Sequence, residues 1–341
     1  MVARTAGSQW LLVLAGSVAL LSAPCASAQV NYQFVTVGYP GNANDTTGYG
    51  GVSYTYDIGT YDVTLNQYTT FLNAVASTDP YGLYNTNLGT DLNVAGISRT
   101  GSSGSYVYSV IGNGQDPVTY VSWFDAARMA NWMQNGQPTG LGEVAGSTEQ
   151  GAYTLNGDIS SGLETKNANA LYWIPSENEW YKAAYYDPTL NGGAGGYWRY
   201  ATRSNTAPGN VVGSGTNEAN YNNGVYSVTQ SSSFPTGIVA LTPVGAFTNS
   251  ASAYGTYDQN GDVWNWNDAI IGSERGLRGG DWYDGATTLQ SSNRDSNSPS
   301  NEDGGLLGFR LAGAVPEPTV AVNLIIAGGL LLTRRKRPSA L

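Results

Sequence analysis

Twelve residues, Tyr257 to Asp268, constrain this chain more than any other stretch: the run YDQNGDVWNWND packs acidic and amide oxygens, one glycine and two tryptophans together. Asp258, Asn260, Asp262 and Asn265 offer hard oxygen donors. Gly261 permits the sharp bend that turns main-chain carbonyls toward the same point, as a calcium site requires. Trp264 and Trp266, two positions apart on an extended segment, share a face and are placed to cover the turn with aromatic area. The same residues also read, without any metal, as a polar Asx-type turn before a strand. The spacing is not that of an EF-hand, so no helix-loop-helix calcium module is implied.

Both ends of the chain read as processing signals. Residues 1–28 carry one early charge, Arg4, then an apolar run from Trp10 to Leu21 and a small-residue site, Ala26-Ser27-Ala28, suited to cleavage before Gln29. This is the order of a secretory signal peptide. Cys25, the only cysteine, lies inside it, so the remainder has no thiol, disulfide or thiolate metal site. Residues 315–341 contain Pro316-Glu317-Pro318, a short apolar segment at 319–333, and the basic cluster Arg334-Arg335-Lys336-Arg337. The segment is shorter than the ~20 residues that span a bilayer comfortably, although the basic cluster would hold its end at the cytoplasmic face. One reading is a permanent anchor. The tripartite order resembles the PEP-CTERM sorting tail of Gram-negative bacteria. That resemblance implies export across the inner membrane, transient membrane anchoring, an exosortase-type sorting protease as partner, and release to the cell surface or extracellular matrix.

The body, 29–314, reads as one domain with no linker, long enough for a sizeable core. The whole chain has 15 basic and 25 acidic residues, a formal net charge of −10, and the body alone is more acidic still, because five of the bases lie in the two ends. Such acidity argues against nucleic acid or anionic membranes as partners and favours cation binding. With no histidine anywhere, histidine zinc sites and Ser-His-Asp triads are excluded.

Periodicity marks three helices in an otherwise loop-rich body. After a strand-like alternation from Tyr54 to Thr64, helical spacing from Leu65 to Val75 puts Tyr68, Phe71, Leu72 and Val75 on one face, with Thr64 as N-cap. A second helix follows Ser122, with Trp123, Ala126, Ala127, Ala130, Trp132 and Met133 on its buried side and Gly136 at its end. A short strand at Leu171–Ile174 leads through Pro175 to Ser176 and Glu179, a capping box that opens a third helix. Residues 77–115 read as loop and short strand, and 186–247 as loop.

Four blocks in order then resemble the formylglycine-generating enzyme, or sulfatase-modifying factor, family. They are GTYDVTLNQYTTFL from Gly59, PVTYVSWFDA from Pro117, IPSENEWYKAA from Ile174, and GDVWNW from Gly261 followed by RGGDW from Arg278 and GFRL from Gly308. The resemblance implies an α+β class, an irregular, loop-rich variant of the C-type lectin fold with a few short helices around small antiparallel sheets. It also implies a calcium ion held by the Asp258 side chain, the Gly261 and Val263 carbonyls and Asn265, where the family has Asn and Glu at the first and last positions. A second calcium site would use Asn220 and the Tyr221 carbonyl, but the acid expected downstream falls near Thr236. Family oxidases use copper held by two cysteines after the Gly-Gly-Ser block. The matching stretch here, Asp281 to Arg294, has none, so no copper is expected. Asp281 and Asp284 could act as an acid-base pair but read as exposed loop acids.

What remains is a fold used as a binding platform. Trp282, Tyr283, Asn293, Arg294, Asp295 and Asn297 lie between the Arg278-Gly-Gly and Gly308-Phe-Arg310 blocks, where aromatics can stack on sugar rings and amides can bind hydroxyls. Trp282 and Arg294 also read as core residues, Arg294 paired with a buried acid. The expected function is a non-catalytic, surface-exported module that binds glycan or protein. The alternatives are a cysteine-free enzyme of divergent chemistry and a hypervariable lectin-fold receptor.

Overall fold

The computed structural model describes residues 29–316. The leader with its Ala28–Gln29 cleavage junction, and the tail from Glu317 through Pro318 and the basic cluster, fall wholly or partly outside the described residues. Among those described, no helix is long and apolar enough to cross a membrane.

In chain order the elements are β1 (Phe34–Val37), β2 (Tyr56–Gly59), α1 (Leu65–Val75), β3 (Ile97–Thr100), β4 (Val107–Val110), α2 (Trp123–Gln134), β5 (Tyr172–Trp173), α3 (Glu177–Tyr185), β6 (Tyr186–Asp187), β7 (Gly196–Tyr197), β8 (Trp264–Ile271), β9 (Glu274–Arg278), β10 (Asp295–Asn297), β11 (Leu307–Gly308) and β12 (Ala312–Gly313). One sheet has the order β1-β2-β12-β5, so the last strand lies between strands from the first part of the chain. A second four-stranded sheet has the order β10-β9-β8-β11, with β11 parallel to β8 and the remaining pairs antiparallel, and β3-β4 and β6-β7 form two-stranded antiparallel sheets. This α+β architecture of few short helices and small sheets is the expected class.

Each helix begins where a side chain can serve the first free amides. Thr64 with Gln67, Ser122 with Asp125, and Ser176 with Glu179 all form reciprocal capping boxes. Such a cap contributes about 1 kcal/mol. Gly136, at φ +80°, lies just past the end of α2 and donates to the Met133 carbonyl. The strand-like run from Tyr54 is shorter than its alternation suggests. From Thr60 the chain leaves β2, Thr60 N–H bonding Gln33 and Val63 N–H bonding Phe309.

Trp123, Trp132, Trp180 and Trp266 are among the largest fully buried side chains, each removing about 150–250 Å² from water. Four arginines are just as deeply buried. Arg128 pairs with Glu149, Arg275 with Asp268, Arg278 with Glu177 and Arg310 with Asp62, each at 2.7 Å. The Arg275 pair ties β8 to β9, and the other three join parts of the chain 21 to 248 residues apart.

Candidate functional site: the polar turn and the aromatic face

The turn before β8 needs three residues with positive φ: Asp258 at +59°, Gly261 at +78° and Asp262 at +61°. Gly261 has no substitute, because a Cβ there would lie 2.0 Å from the Asn220 carbonyl oxygen. That carbonyl accepts from the Asp262 amide, and Gly261 N–H donates to Gly279 O. The two loops expected to hold separate metals are thus laced together.

Asn265, at the start of β8, is fully buried. Its Oδ1 accepts from Trp180 Nε1 at 3.0 Å and from Arg310 Nε at 2.8 Å, and its Nδ2 donates to Val263 O at 3.2 Å. Arg310 spends its other donors on Gly59 O at 3.2 Å, Asp62 Oδ1 at 2.7 Å and Tyr257 O at 2.9 Å. Burial pushes Asp62 up to about 6 against the pull of Arg310. Asp258 rises to about 7, mainly through burial and then through the Asp62 charge, while its Oδ2 accepts from Gly245 N–H at 2.7 Å. Asp262 is held by Asn220 Nδ2 and by the Thr242 amide and hydroxyl.

This donor set does not fit a calcium ion in the way expected. Asn265 has spent its oxygen, Val263 O faces an amide hydrogen, and Gly261 O already accepts from the Val263 amide. In the expected second site, Asn220 donates to Ala240 O and Asp262, and Tyr221 O accepts from Asn210. Among the described residues, no group of three or more acidic, histidine or cysteine side chains is disposed to hold a metal.

A different arrangement lies beyond Gly280. Trp282 and Tyr283 meet Tyr226 and Phe234 so that all six ring pairs have centroids 5.8–6.3 Å apart. Trp282 and Tyr226 are buried, whereas Phe234 and Tyr283 are 48% and 52% exposed. The Trp282 Nε1 is buried with no protein acceptor. Asp284, next to Tyr283 in the chain, accepts from Trp264 Nε1 at 2.9 Å, and burial raises its pKa, whereas Asp295 is exposed on β10 opposite Leu277.

The remaining expected contacts divide. Arg294 is clamped in a two-pronged pair on Glu177, both contacts at 2.7 Å, and Asn293 O accepts from Arg278, so these two brace the framework. Asn297 pairs with Arg275 across β10 and β9. Asp281 corrects the expectation of an exposed loop acid. It is buried, its Oδ1 caps the amides of Tyr283 and Asp284, and burial with the Asp284 charge pushes it up to about 7. Sequence reading missed Tyr226 and Phe234, because both lie in aperiodic loop far from Trp282 in the chain.

Comparison with known proteins places this geometry. Among solved structures, CarF aligns over 84% of this chain and 99% of its own at 20% identity, TM-score 0.47. Variable protein 1 of Treponema denticola aligns over 85% and 97% at 18% identity, TM-score 0.48. PvdO from Pseudomonas aeruginosa aligns over 83% and 92% at 18% identity, TM-score 0.41. No curated protein matches. The pattern of the sulfatase-modifying factor enzyme 1-like domain matches residues 37–315, and the chain therefore belongs to that family, the FGE-sulfatase domains.

Proposed function

We propose that this chain is an exported, non-catalytic ligand-binding module whose contact surface is the ring cluster of Tyr226, Phe234, Trp282 and Tyr283. The observation that carries this reading is the half-exposure of Phe234 and Tyr283 on a buried aromatic base. Rings held rigid from below lose little freedom on binding and offer flat faces to a sugar ring or a protein side chain. Asp284, adjoining Tyr283 in the chain, supplies an acceptor for hydroxyl or amino groups. The family's copper oxidation is not available to a chain whose single cysteine is Cys25. The leader and the tail fit delivery by a sorting protease to the cell surface or the exopolysaccharide matrix, where a glycan or protein ligand would be met.

The test is binding of the purified protein to exopolysaccharide and, separately, to extracted matrix protein. Truncating both exposed rings, Phe234→Ala with Tyr283→Ala, should weaken binding at least tenfold, about 1.4 kcal/mol, while the protein stays folded and still unfolds cooperatively. Which preparation binds names the ligand class. Undiminished binding by the double variant would remove this face as the site.

A further inference from the structure

We infer that the turn at 257–265 is organised by the guanidinium of Arg310, with Asn265 as its adaptor, and holds no structural metal ion. The orientation of Asn265 is forced. Trp180 Nε1 and Arg310 Nε can only donate, so the atom between them must be the amide oxygen, and both its lone pairs are spent. The amide nitrogen is then left facing Val263 O. A metal would have to displace that N–H to reach the carbonyl.

Arg310 already does what a cation would do here. Its nitrogens gather four oxygens from two distant stretches of chain: Gly59 O and Asp62 Oδ1 from one, and Tyr257 O and Asn265 Oδ1 from the other. A divalent ion sharing Asn265 or Asp62 would sit against a fixed positive charge in a buried site, where such repulsion is weakly screened. Two of the nearby acids are committed, Asp258 to the Gly245 amide and Asp262 to Asn220 and Thr242, and Asp62 Oδ2, which has no hydrogen bond of its own, shares the carboxylate that already faces the Arg310 charge. A fixed guanidinium cannot be chelated away, so this turn does not depend on ambient calcium.

Asn265→Glu should reverse this. The change keeps an acceptor for Trp180 and Arg310 but replaces the N–H with a second oxygen facing Val263 O and close to Asp62. Two carboxylates and a carbonyl around one guanidinium would then call for a second cation.

The experiment compares unfolding midpoints of the parent, Asn265→Glu and Asn265→Ala, each in chelator and in millimolar calcium. The parent midpoint is expected to stay constant. Asn265→Glu should unfold roughly 5–10 °C lower in chelator and recover with calcium. A parent that gains several degrees with calcium, and loses the gain in Asn265→Ala, overturns the inference. A gain equal in parent and Asn265→Ala is assigned with Asp258→Asn: loss of the gain in that variant puts the ion in the turn and overturns the inference, whereas an unchanged gain puts it elsewhere in the protein and leaves the turn metal-free. Should Asn265→Glu not fold, the parent and Asn265→Ala decide the matter alone.

Discussion

The polar hub around Arg310 and the ring cluster around Trp282 both draw distant parts of the chain onto its C-terminal portion, yet they treat their polar and apolar groups in opposite ways. At the hub the donors are turned inward: one guanidinium serves four oxygens, Asn265 uses both ends of its amide, and Asp62 Oδ2, without a hydrogen bond, belongs to a carboxylate held by the Arg310 charge. At the cluster, two large rings are left half in water and an indole N–H is left without a protein acceptor. Burial without a partner is what folding penalises, and exposure of packed aromatics is what it gains least from. The hub therefore bears on stability, and the cluster is where stability has been given up for a surface.

Substitutions should separate the two regions by stability. Arg310→Met strips the hub and leaves Asp62 buried without its counter-charge. It should cost about 3–5 kcal/mol, the range for removing one partner of a buried pair. Chemical denaturation measures this, and pairing the change with Asp62→Asn should recover part of the loss. Recovery of nothing would mean that the guanidinium matters for its packing and not for its charge. Gly261→Ala comes next, at about 2–4 kcal/mol, because a left-handed φ of +78° and a Cβ 2.0 Å from Asn220 O both resist it. A near-neutral result would show that the lacing of the two loops is slack.

The sequence made the helices legible because capping is local: each of the three boxes closes over three residues, and each helix starts where its cap stands. The bend at Gly261 was legible for the same reason. What serves the turn was not, since Arg310 arrives from the far end of the domain and pairs with Asp62 near its start. Oxygen-bearing side chains look alike in sequence whether they await a metal or already hold a guanidinium. Asp281 was misplaced because a polar loop predicts exposure, and here the loop folds back with its acid beneath the Tyr283 and Asp284 amides. The cluster was half visible: Trp282 and Tyr283 stood in a candidate block, but Tyr226 and Phe234 carry no period that would have paired them.

Buried acids give the comparison a pH axis. Burial pushes Asp116, Asp258 and Asp281 each up to about 7, with the Asp62 charge adding at Asp258 and the Asp284 charge at Asp281. A carboxyl that sits near 3.9 when unfolded and near 7 when folded binds its proton more tightly in the fold. Its stabilising contribution is complete below about pH 4 and is lost as pH rises through 7. The unfolding midpoint should accordingly fall between pH 5 and pH 8. Asp281→Asn keeps the acceptor for its turn and removes the proton, so it should flatten that fall by on the order of 1–2 kcal/mol. A slope unchanged in the variant would assign the pH dependence to other acids.

The smallest effect expected on stability is at the exposed rings. Phe234→Ala and Tyr283→Ala each remove a side chain that is about half solvated, so the apolar area returned to water is modest and no polar group loses a required partner. Each also gives up three ring contacts with its neighbours, which for half-solvated rings cost about 0.5 kcal/mol apiece, the low end for aromatic pairs. Each variant should thus stay within about 2 kcal/mol of the parent, against about 3–5 for Arg310→Met. A binding face predicts this pattern, because its rings are kept for what they meet outside the protein. If either truncation destabilised the fold as much as the loss of Arg310 does, the four rings would be a satellite core with incidental exposure, and the contrast between hub and surface would collapse.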